Sequence, residues 1–318
     1  MIYDVSHVTT YHYAARVAFA RCLLRLAPRA MPWQRVLSHE LSLSPAPAET
    51  REGDDFFGNR QRAVLIAAPH DTLSIRATSR VEVGERPALR FGGPAWEQVA
   101  RHALASRDLS GLSPAHFLFA SRFAPLLDEA AAYARADFSP GRPVLEAALD
   151  LTRRVHADFA YDPAATDVST PLRLVFAQRA GVCQDFAHAM IAGLRGIGVP
   201  CLYVSGYLRT TPPEGQKRLA GADASHAWVA VWCGEEAGWV ELDPTNDRPA
   251  GPDHVVLAVG RDYADVAPVA GVVLASAPQR LTVAVDVTPV EPLEAGPVAA
   301  QQSNDLRTSN QNRKSFTG

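Results

Sequence analysis

The chain has 318 residues, of which 47% are hydrophobic and 20% are charged. This composition supports a large buried core and excludes global disorder, and the length allows two domains or one domain with a tail. Lys and Arg total 31 against 34 Asp and Glu, a formal net charge of −3. Because nucleic-acid-binding domains usually carry an excess of basic residues, we expect no nucleic-acid partner.

The N-terminal segment and the four cysteines indicate the compartment. The first 13 residues, MIYDVSHVTTYHY, lack the basic start and apolar segment of a secretory signal. The most apolar stretch, Val266–Pro278, is too short to cross a bilayer. The cysteines, Cys22, Cys183, Cys201 and Cys233, form no CxxC pair, which argues against structural zinc. We therefore expect a cytoplasmic protein with free thiols, no membrane partner, and no metal or other cofactor.

Residues 1–90 have the pattern of short strands separated by turns. Ile2–Tyr13, Val17–Ala27 and Leu73–Val83 are rich in β-branched, aromatic and leucine residues, and Gly58 marks a turn. This pattern predicts an N-terminal β-sandwich or barrel domain. Residues 91–140 contain two Ala- and Leu-rich segments that predict a helical connection.

Residues 141–290 combine helices and strands, which predicts an α+β core. Val144–Phe159 has apolar residues at helical spacing. A second helix is predicted to begin at Cys183 and to end before Gly198 and Pro200. Strands are predicted at Cys201–Leu208, His226–Cys233, Gly238–Asp243, Val255–Val259 and Leu281–Val287. Residues 291–318 are polar without periodicity and predict a disordered tail.

Cys183 is the candidate nucleophile, because it lies at the start of the predicted helix. A helix N-terminus favours the thiolate, which is the nucleophilic form of cysteine. Taken by its position alone, Cys183 is slightly better explained as a buried structural cysteine.

His226 and Asp243 change that balance. Each lies on a predicted strand, and the short connection between the two strands predicts an antiparallel hairpin. A connection of even length places the two side chains on one face, either directly opposite or as diagonal neighbours. A connection of odd length places them on opposite faces. An aspartate beside a histidine fixes its tautomer and stabilises the imidazolium, as the general base of a thiol requires.

Four ordered motifs resemble the bacterial transglutaminase-like proteins: GVCQDFAH at 181–188, IGVPCLYVSGYL at 197–208, ADASHAWVAVW at 222–232 and GWVELDPTND at 238–247. The resemblance implies a β-rich N-terminal domain followed by a papain-like core. It also implies that Cys183 is the nucleophile, His226 the base and acid, and Asp243 the residue that orients the histidine. Leu172–Arg179 departs from the family pattern, and the oxyanion donor is not identified.

Four further residues are weak candidates for substrate binding, each with a structural alternative. Gln184 and Asp185 lie in the first helical turn, where a carboxylate also stabilises the helix start. Tyr207 lines the cleft or packs in the core, and Trp228 lies on the strand of His226. We interpret His188, five residues after Cys183, as a packed or hydrogen-bonding histidine.

The favoured function is acyl transfer from an amide through a thioester, by hydrolysis or transamidation, with a peptide or protein as substrate. A non-catalytic scaffold with the same fold is the alternative. It is less favoured because all three residues are present. A metal-dependent hydrolase is a weaker third option, since the histidines show no HExxH spacing. The sequence is compatible with a homo-oligomer but does not fix the oligomeric state.

Overall fold

A computed structural model describes residues 1–210, 224–274 and 278–290. The predicted disordered tail, 291–318, lies outside the described residues. Within the described residues, no helix combines the length and the apolar composition needed to cross a bilayer.

The first part of the chain forms six strands, of which the first, second and sixth alternate buried and more exposed residues. In the first strand Tyr3, Val5, His7 and Thr9 are buried, and the residues between them are more exposed. This period of two is that of a sheet with one covered face. The strands are β1 (Ile2–Val17), β2 (Phe19–Leu24), β3 (Gln34–Ser44), β4 (Glu49–Asp54), β5 (Arg60–Ile66) and β6 (His70–Val83).

Helices follow in the middle of the chain and pack around one buried helix. They are α1 (Trp96–Leu104), a 3₁₀ turn (Pro114–Phe117), α2 (Asp128–Arg135), α3 (Val144–Asp158), α4 (Leu172–Gln178) and α5 (Cys183–Gly196). Two short strands, β7 (Ala160–Tyr161) and β8 (Ala180–Gly181), pair in parallel beside α5. Nearly every residue of α5 beyond its first turn is buried, because α2, α3 and α4 cover it on the side away from the sheet.

A five-stranded sheet covers the other side of α5. Its strands are β9 (Cys201–Leu208), β10 (Ala224–Trp232), β11 (Trp239–Asp243), β12 (Arg248–Pro249) and β13 (His254–Gly260). The order is β12-β11-β10-β9-β13, and all neighbouring pairs are antiparallel. Helix α5 packs on β9 and β10 at the centre of this sheet.

The last described segment returns to the N-terminal strands. After α6 (Tyr263–Val266), β14 (Val269–Leu274) pairs with β2, and β15 (Gln279–Pro289) pairs with β1. This gives two four-stranded sheets, β15-β1-β6-β3 and β14-β2-β5-β4. The sequence-based division assigned Val269–Leu274 and Gln279–Pro289 to the core, whereas their pairing places them in the N-terminal sheets. The hydrophobic pattern marks them as strands but does not identify their partners.

Strand β1 joins two hydrophobic cores. Tyr13 and Val17, near its end, pack between the two N-terminal sheets, whereas Tyr3 and Val5, near its start, pack in the core that contains α5. The predicted α+β fold class is confirmed: an N-terminal β-sandwich is followed by a core in which the helix bearing Cys183 packs on an antiparallel sheet.

Gly206 should tolerate no side chain. It lies in β9 opposite His226, and a Cβ there would lie 2.1 Å from the carbonyl oxygen of Val255 and 2.5 Å from the ring of Trp228. We expect Gly206→Ala to lower the free energy of unfolding by about 1–3 kcal/mol or more, because backbone must move. Urea unfolding measures the change. Gly53→Ala in β4, where a Cβ meets nothing within 4 Å, is the control. Equal stability of the two variants would contradict the packing described here.

Candidate active site

Cys183 is the first residue of α5, and the start of this helix is held in place by Asp185. The Asp185 carboxylate accepts hydrogen bonds from the backbone N–H of Val182 at 2.9 Å and from the hydroxyl of Thr166 at 2.6 Å. Because Cys183 lies in the first turn, its own N–H has no acceptor within the helix. The half-buried thiol and a free backbone donor therefore lie together at the positive end of α5.

The other three cysteines occupy different environments. Cys22, Cys201 and Cys233 are free thiols within the hydrophobic cores. Burial raises the pKa of each of them, to about 12 for Cys233. Their thiols are therefore neutral at physiological pH, as expected of inert structural cysteines.

The hairpin of β10 and β11 brings His226 and Asp243 together. Val229 pairs with Leu242, so His226 and Asp243 are diagonal neighbours on one face, the second of the two registers that the sequence allows. The Nε2 atom of His226 donates to Oδ2 of Asp243 at 2.8 Å. The remaining ring nitrogen, Nδ1, is left for Cys183, whose side chain is close enough to raise the pKa of His226.

Asp243 is fully buried, and its carboxylate accepts five hydrogen bonds. Oδ2 accepts from His226, from Nε2 of His254 at 3.0 Å and from the side-chain amide of Asn246 at 2.7 Å. Oδ1 accepts from the backbone N–H of Thr245 at 3.0 Å and of Asn246 at 3.2 Å. Burial alone would raise the pKa of Asp243, but the hydrogen bonds from His226, His254 and Asn246 outweigh it and hold the pKa far below its usual range.

The same interactions act on His226 in the opposite direction. Burial alone would lower its pKa, whereas the hydrogen bonds and charges of Asp243 and Cys183 raise the pKa to about 9. The ring of Trp228 stacks on His226 with centroids 5.9 Å apart. An imidazolium is therefore stable at this position at neutral pH, next to the thiol at the helix N-terminus.

His254 is a second histidine on Asp243, and the sequence reasoning missed it. The backbone N–H of Gly251 donates to its Nδ1 at 3.1 Å, which assigns the proton to Nε2 and makes that atom a donor to Asp243. Burial lowers the pKa of His254 despite the hydrogen bond to Asp243. No sequence spacing relates residue 254 to the hairpin, because the contact depends on β13 lying on the far side of β9.

His226, Asp243 and His254 also form a group of possible metal ligands, since their side-chain donor atoms lie within 4.8 Å of one another. A metal ligand must offer a lone pair. Here both Nε2 atoms are protonated and directed at the carboxylate, and Asn246 occupies a further position on Oδ2. These contacts fit a hydrogen-bonded carboxylate and do not fit a metal centre.

Cys183 and His226 open onto a cleft of about 450 Å³ between the core sheet and the N-terminal strands. Among the weak substrate-binding candidates, Gln184 lines this cleft. Asp185 is directed away from the cleft and holds the helix start.

Three of the residues considered above, Tyr207, Trp228 and His188, are buried in the core. The Tyr207 hydroxyl is hydrogen-bonded to Nδ1 of His7 at 2.9 Å, and Trp228 donates from its indole N–H to Glu241 at 3.0 Å. His188 is buried beside Phe123 and accepts a hydrogen bond from the N–H of Tyr263 at 3.2 Å. Burial lowers the pKa of His188 to about 4, which agrees with its interpretation as a packed, hydrogen-bonding residue.

The sequence of this chain is similar to known protein families in both its N-terminal region and its core. Residues 3–82 match the family model of the bacterial transglutaminase-like N-terminal region, and residues 132–244 match that of the transglutaminase-like superfamily. An uncharacterized protein of Mycobacterium tuberculosis is 39% identical over 297 residues, which cover 91% of this chain and 93% of that protein. The chain belongs to the bacterial transglutaminase-like proteins. An uncharacterized protein of Mycobacterium leprae is 31% identical over 288 residues, 89% of this chain and 97% of that protein.

A solved structure shows the same transglutaminase-like fold. The crystal structure of a protein from Cytophaga hutchinsonii, named as a candidate cysteine protease, is 22% identical with a TM-score of 0.69. The alignment covers 92% of each chain. The likeness therefore extends beyond the core to the N-terminal sheets and the strands that return to them.

Removal of the Asn246 amide should make this transglutaminase-like protein more sensitive to acid. We expect Asn246→Ala to lower the free energy of unfolding by about 1–2 kcal/mol at neutral pH, because the buried, charged carboxylate of Asp243 loses one of its hydrogen bonds. The pKa of Asp243 in the folded state rises, so its contribution to stability is lost at a higher pH as the solution is acidified. The midpoint of acid unfolding, followed by circular dichroism, should shift upward. Ser110→Ala, which removes a similar bond to the exposed Asp108, should leave the midpoint nearly unchanged.

Proposed function

We propose that this protein catalyses cysteine-dependent acyl transfer from the amide of a peptide or protein. Cys183 is the nucleophile, His226 the general base and acid, and Asp243 the residue that orients His226. The proposal depends above all on one observation: the imidazole of His226, which shares a cleft with Cys183, is held through Nε2 by a buried, ionised Asp243.

Acylation would proceed through a thioester. The proton of the Cys183 thiol passes to Nδ1 of His226, and the thiolate attacks the carbonyl carbon of the amide. The developing oxyanion can accept a hydrogen bond from the N–H of Cys183, which has no acceptor within the helix. His226 then gives its proton to the leaving amine, the C–N bond breaks, and the acyl group remains on sulfur.

The second half-reaction would reverse these proton transfers. His226 removes a proton from water or from a primary amine, which attacks the thioester and releases the thiol. Water gives hydrolysis and an amine gives transamidation. The residues of the site serve both reactions, so the choice depends on whether the cleft admits an amine in preference to water.

A screen with defined substrates tests the activity. Peptides and glutamine amides are incubated with the protein, with and without a primary amine, and products are identified by mass spectrometry. Without the amine, cleavage of a peptide bond, or the small mass increase that accompanies conversion of a glutamine amide to the acid, indicates hydrolysis. With the amine, its addition to the acyl group with release of ammonia indicates transamidation. A non-catalytic scaffold would give neither product and no thioester on Cys183.

Two substitutions separate the roles within the site. Cys183→Ala should lower turnover by at least about 10³-fold without unfolding the protein, because the nucleophile is lost and the volume change is small. Asp243→Asn should lower turnover by about 10²–10⁴-fold, because the tautomer of His226 is no longer fixed. Turnover is measured under saturating substrate, with circular dichroism as the check of folding. Cys22→Ala is the control, and wild-type activity of Cys183→Ala would contradict the mechanism.

Alkylation of Cys183 should depend on pH through His226. With a pKa of about 9, His226 remains an imidazolium throughout the neutral range and loses its proton as the pH rises through 9. Because a neighbouring imidazolium favours the reactive thiolate, we expect iodoacetamide to alkylate Cys183 faster at neutral pH in the wild type than in His226→Ala. The difference between the two proteins should shrink as the pH rises through 9, where the imidazolium is lost. The rate at each pH is read from peptide mass spectra.

The buried cysteines serve as internal references in the same samples. Cys22, Cys201 and Cys233 should stay unmodified in the folded protein, since burial keeps them neutral. An identical profile for Cys183 in the wild type and in His226→Ala would show that no ion pair forms.

Metal chelation separates the proposal from a metal-dependent hydrolase. Because Nε2 of His226 and Nε2 of His254 both donate to Asp243, we expect turnover to be unchanged after dialysis against EDTA. Activity that is lost in EDTA and restored by Zn²⁺ would assign His226, Asp243 and His254 to a metal centre instead.

A further inference from the structure

The cleft that holds Cys183 has a second wall, which comes from the N-terminal sheets. Three cross-strand pairs of β1 and β15 form it: His7 with Val285, Thr9 with Val283, and Tyr11 with Leu281. Because successive pairs are two residues apart, all six side chains lie on one face of the sheet. This face lies across the cleft from the helix start and His226.

The polar atoms at the base of this wall are already occupied. Nδ1 of His7 is hydrogen-bonded to the hydroxyl of Tyr207, and its Nε2 to the hydroxyl of Thr9, both at 2.9 Å. Burial lowers the pKa of His7 to about 4, so the ring is neutral at physiological pH. The base of the wall therefore presents no charge to a ligand.

The outer part of the wall is aliphatic and open to solvent. Leu281 is 51% exposed and Val283 is 49% exposed, although both line a concave surface. Among its described residues, the lining of this cleft contains no Asp, Glu, Lys or Arg. A ligand that covers Leu281 and Val283 with an apolar group gains from the removal of this surface from water, whereas a charged group placed on these two side chains finds no charged partner on this wall.

We propose that Tyr11, Leu281 and Val283 form a specificity site for an uncharged aliphatic or aromatic side chain of the acyl donor. The occupant is part of the substrate because the wall is continuous with the cleft of the nucleophile. The identity of the occupant as an acyl donor rests on the proposed function. The selectivity for apolar groups is a property of the cleft and can be tested without turnover.

The test uses the alkylation of Cys183, in which the thiolate displaces iodide and forms an S–C bond. Two neutral probes are compared, N-(2-phenylethyl)iodoacetamide and N-(2-hydroxyethyl)iodoacetamide. The second-order rate constant of each at Cys183 is measured by mass spectrometry and divided by its rate constant with free glutathione. We expect the corrected rate to be about tenfold higher for the phenylethyl probe, as for one well-placed apolar contact.

A matched pair of double variants locates the selectivity. Leu281→Asn with Val283→Thr should reduce the ratio to about twofold or less and leave the rate with plain iodoacetamide unchanged, because only an apolar contact is removed. Leu274→Asn with Val272→Thr in β14 alters two aliphatic residues that are each 70% exposed and do not line the cleft. This control should keep the wild-type ratio.

The outcomes distinguish this site from the proposed function. A wild-type ratio near one, or equal ratios in the two double variants, would overturn the specificity site even if amides are turned over. A high ratio that depends on Leu281 and Val283, in a protein that turns over no amide, would support an apolar subsite and contradict the proposed reaction. If peptides are turned over, the double variant at Leu281 and Val283 should affect acyl donors that carry an apolar side chain next to the reacting amide. For these donors, KM should rise by a larger factor than kcat falls.

Discussion

The buried carboxylate of Asp243 is the interaction on which the arrangement of the site depends. An ionised group without solvent contact is costly unless hydrogen bonds compensate for the lost water. Here the compensation comes from three directions: His226 on β10, His254 on β13, and the turn that follows β11. One charge therefore ties together the ends of three strands of the core sheet. The proton that each histidine directs at Asp243 also determines which of its nitrogens remains available for other contacts.

The groups of the proposed catalytic site and the surface opposite them come from different parts of the fold. Cys183 takes its position from α5, which the core buries on all sides beyond its first turn, whereas His226 belongs to the sheet beneath that helix. Across the cleft, β1 and β15 belong to the N-terminal sandwich. Since β1 packs in both hydrophobic cores, the cleft lies where residues of the two cores meet. The hydrogen bond between His7 and Tyr207 links β1 directly to the core sheet there.

The sequence could predict features that depend on neighbouring residues. The helix beginning at Cys183, its end before Gly198, and the hairpin that carries His226 and Asp243 follow from local periodicity and short connections. The hairpin alone left the register open, and the observed one is the diagonal arrangement. Features that depend on distant pairing were beyond the same reasoning. His254 reaches Asp243 only because β13 lies next to β9, and β14 and β15 show strand character in sequence without showing that β2 and β1 are their partners.

The return of β14 and β15 to the first sheets has a consequence for biosynthesis. A chain leaves the ribosome from its N-terminus, and local units generally fold as they emerge. The two sheets begun by β1 and β2 remain open at these edges until residues 269–289 have been made. By then the residues of α5 and of the hairpin have already been made, but the wall opposite Cys183 still lacks β15. A nascent or prematurely ended chain could thus carry the thiol and its histidine, yet it would have no complete cleft in which to hold a substrate.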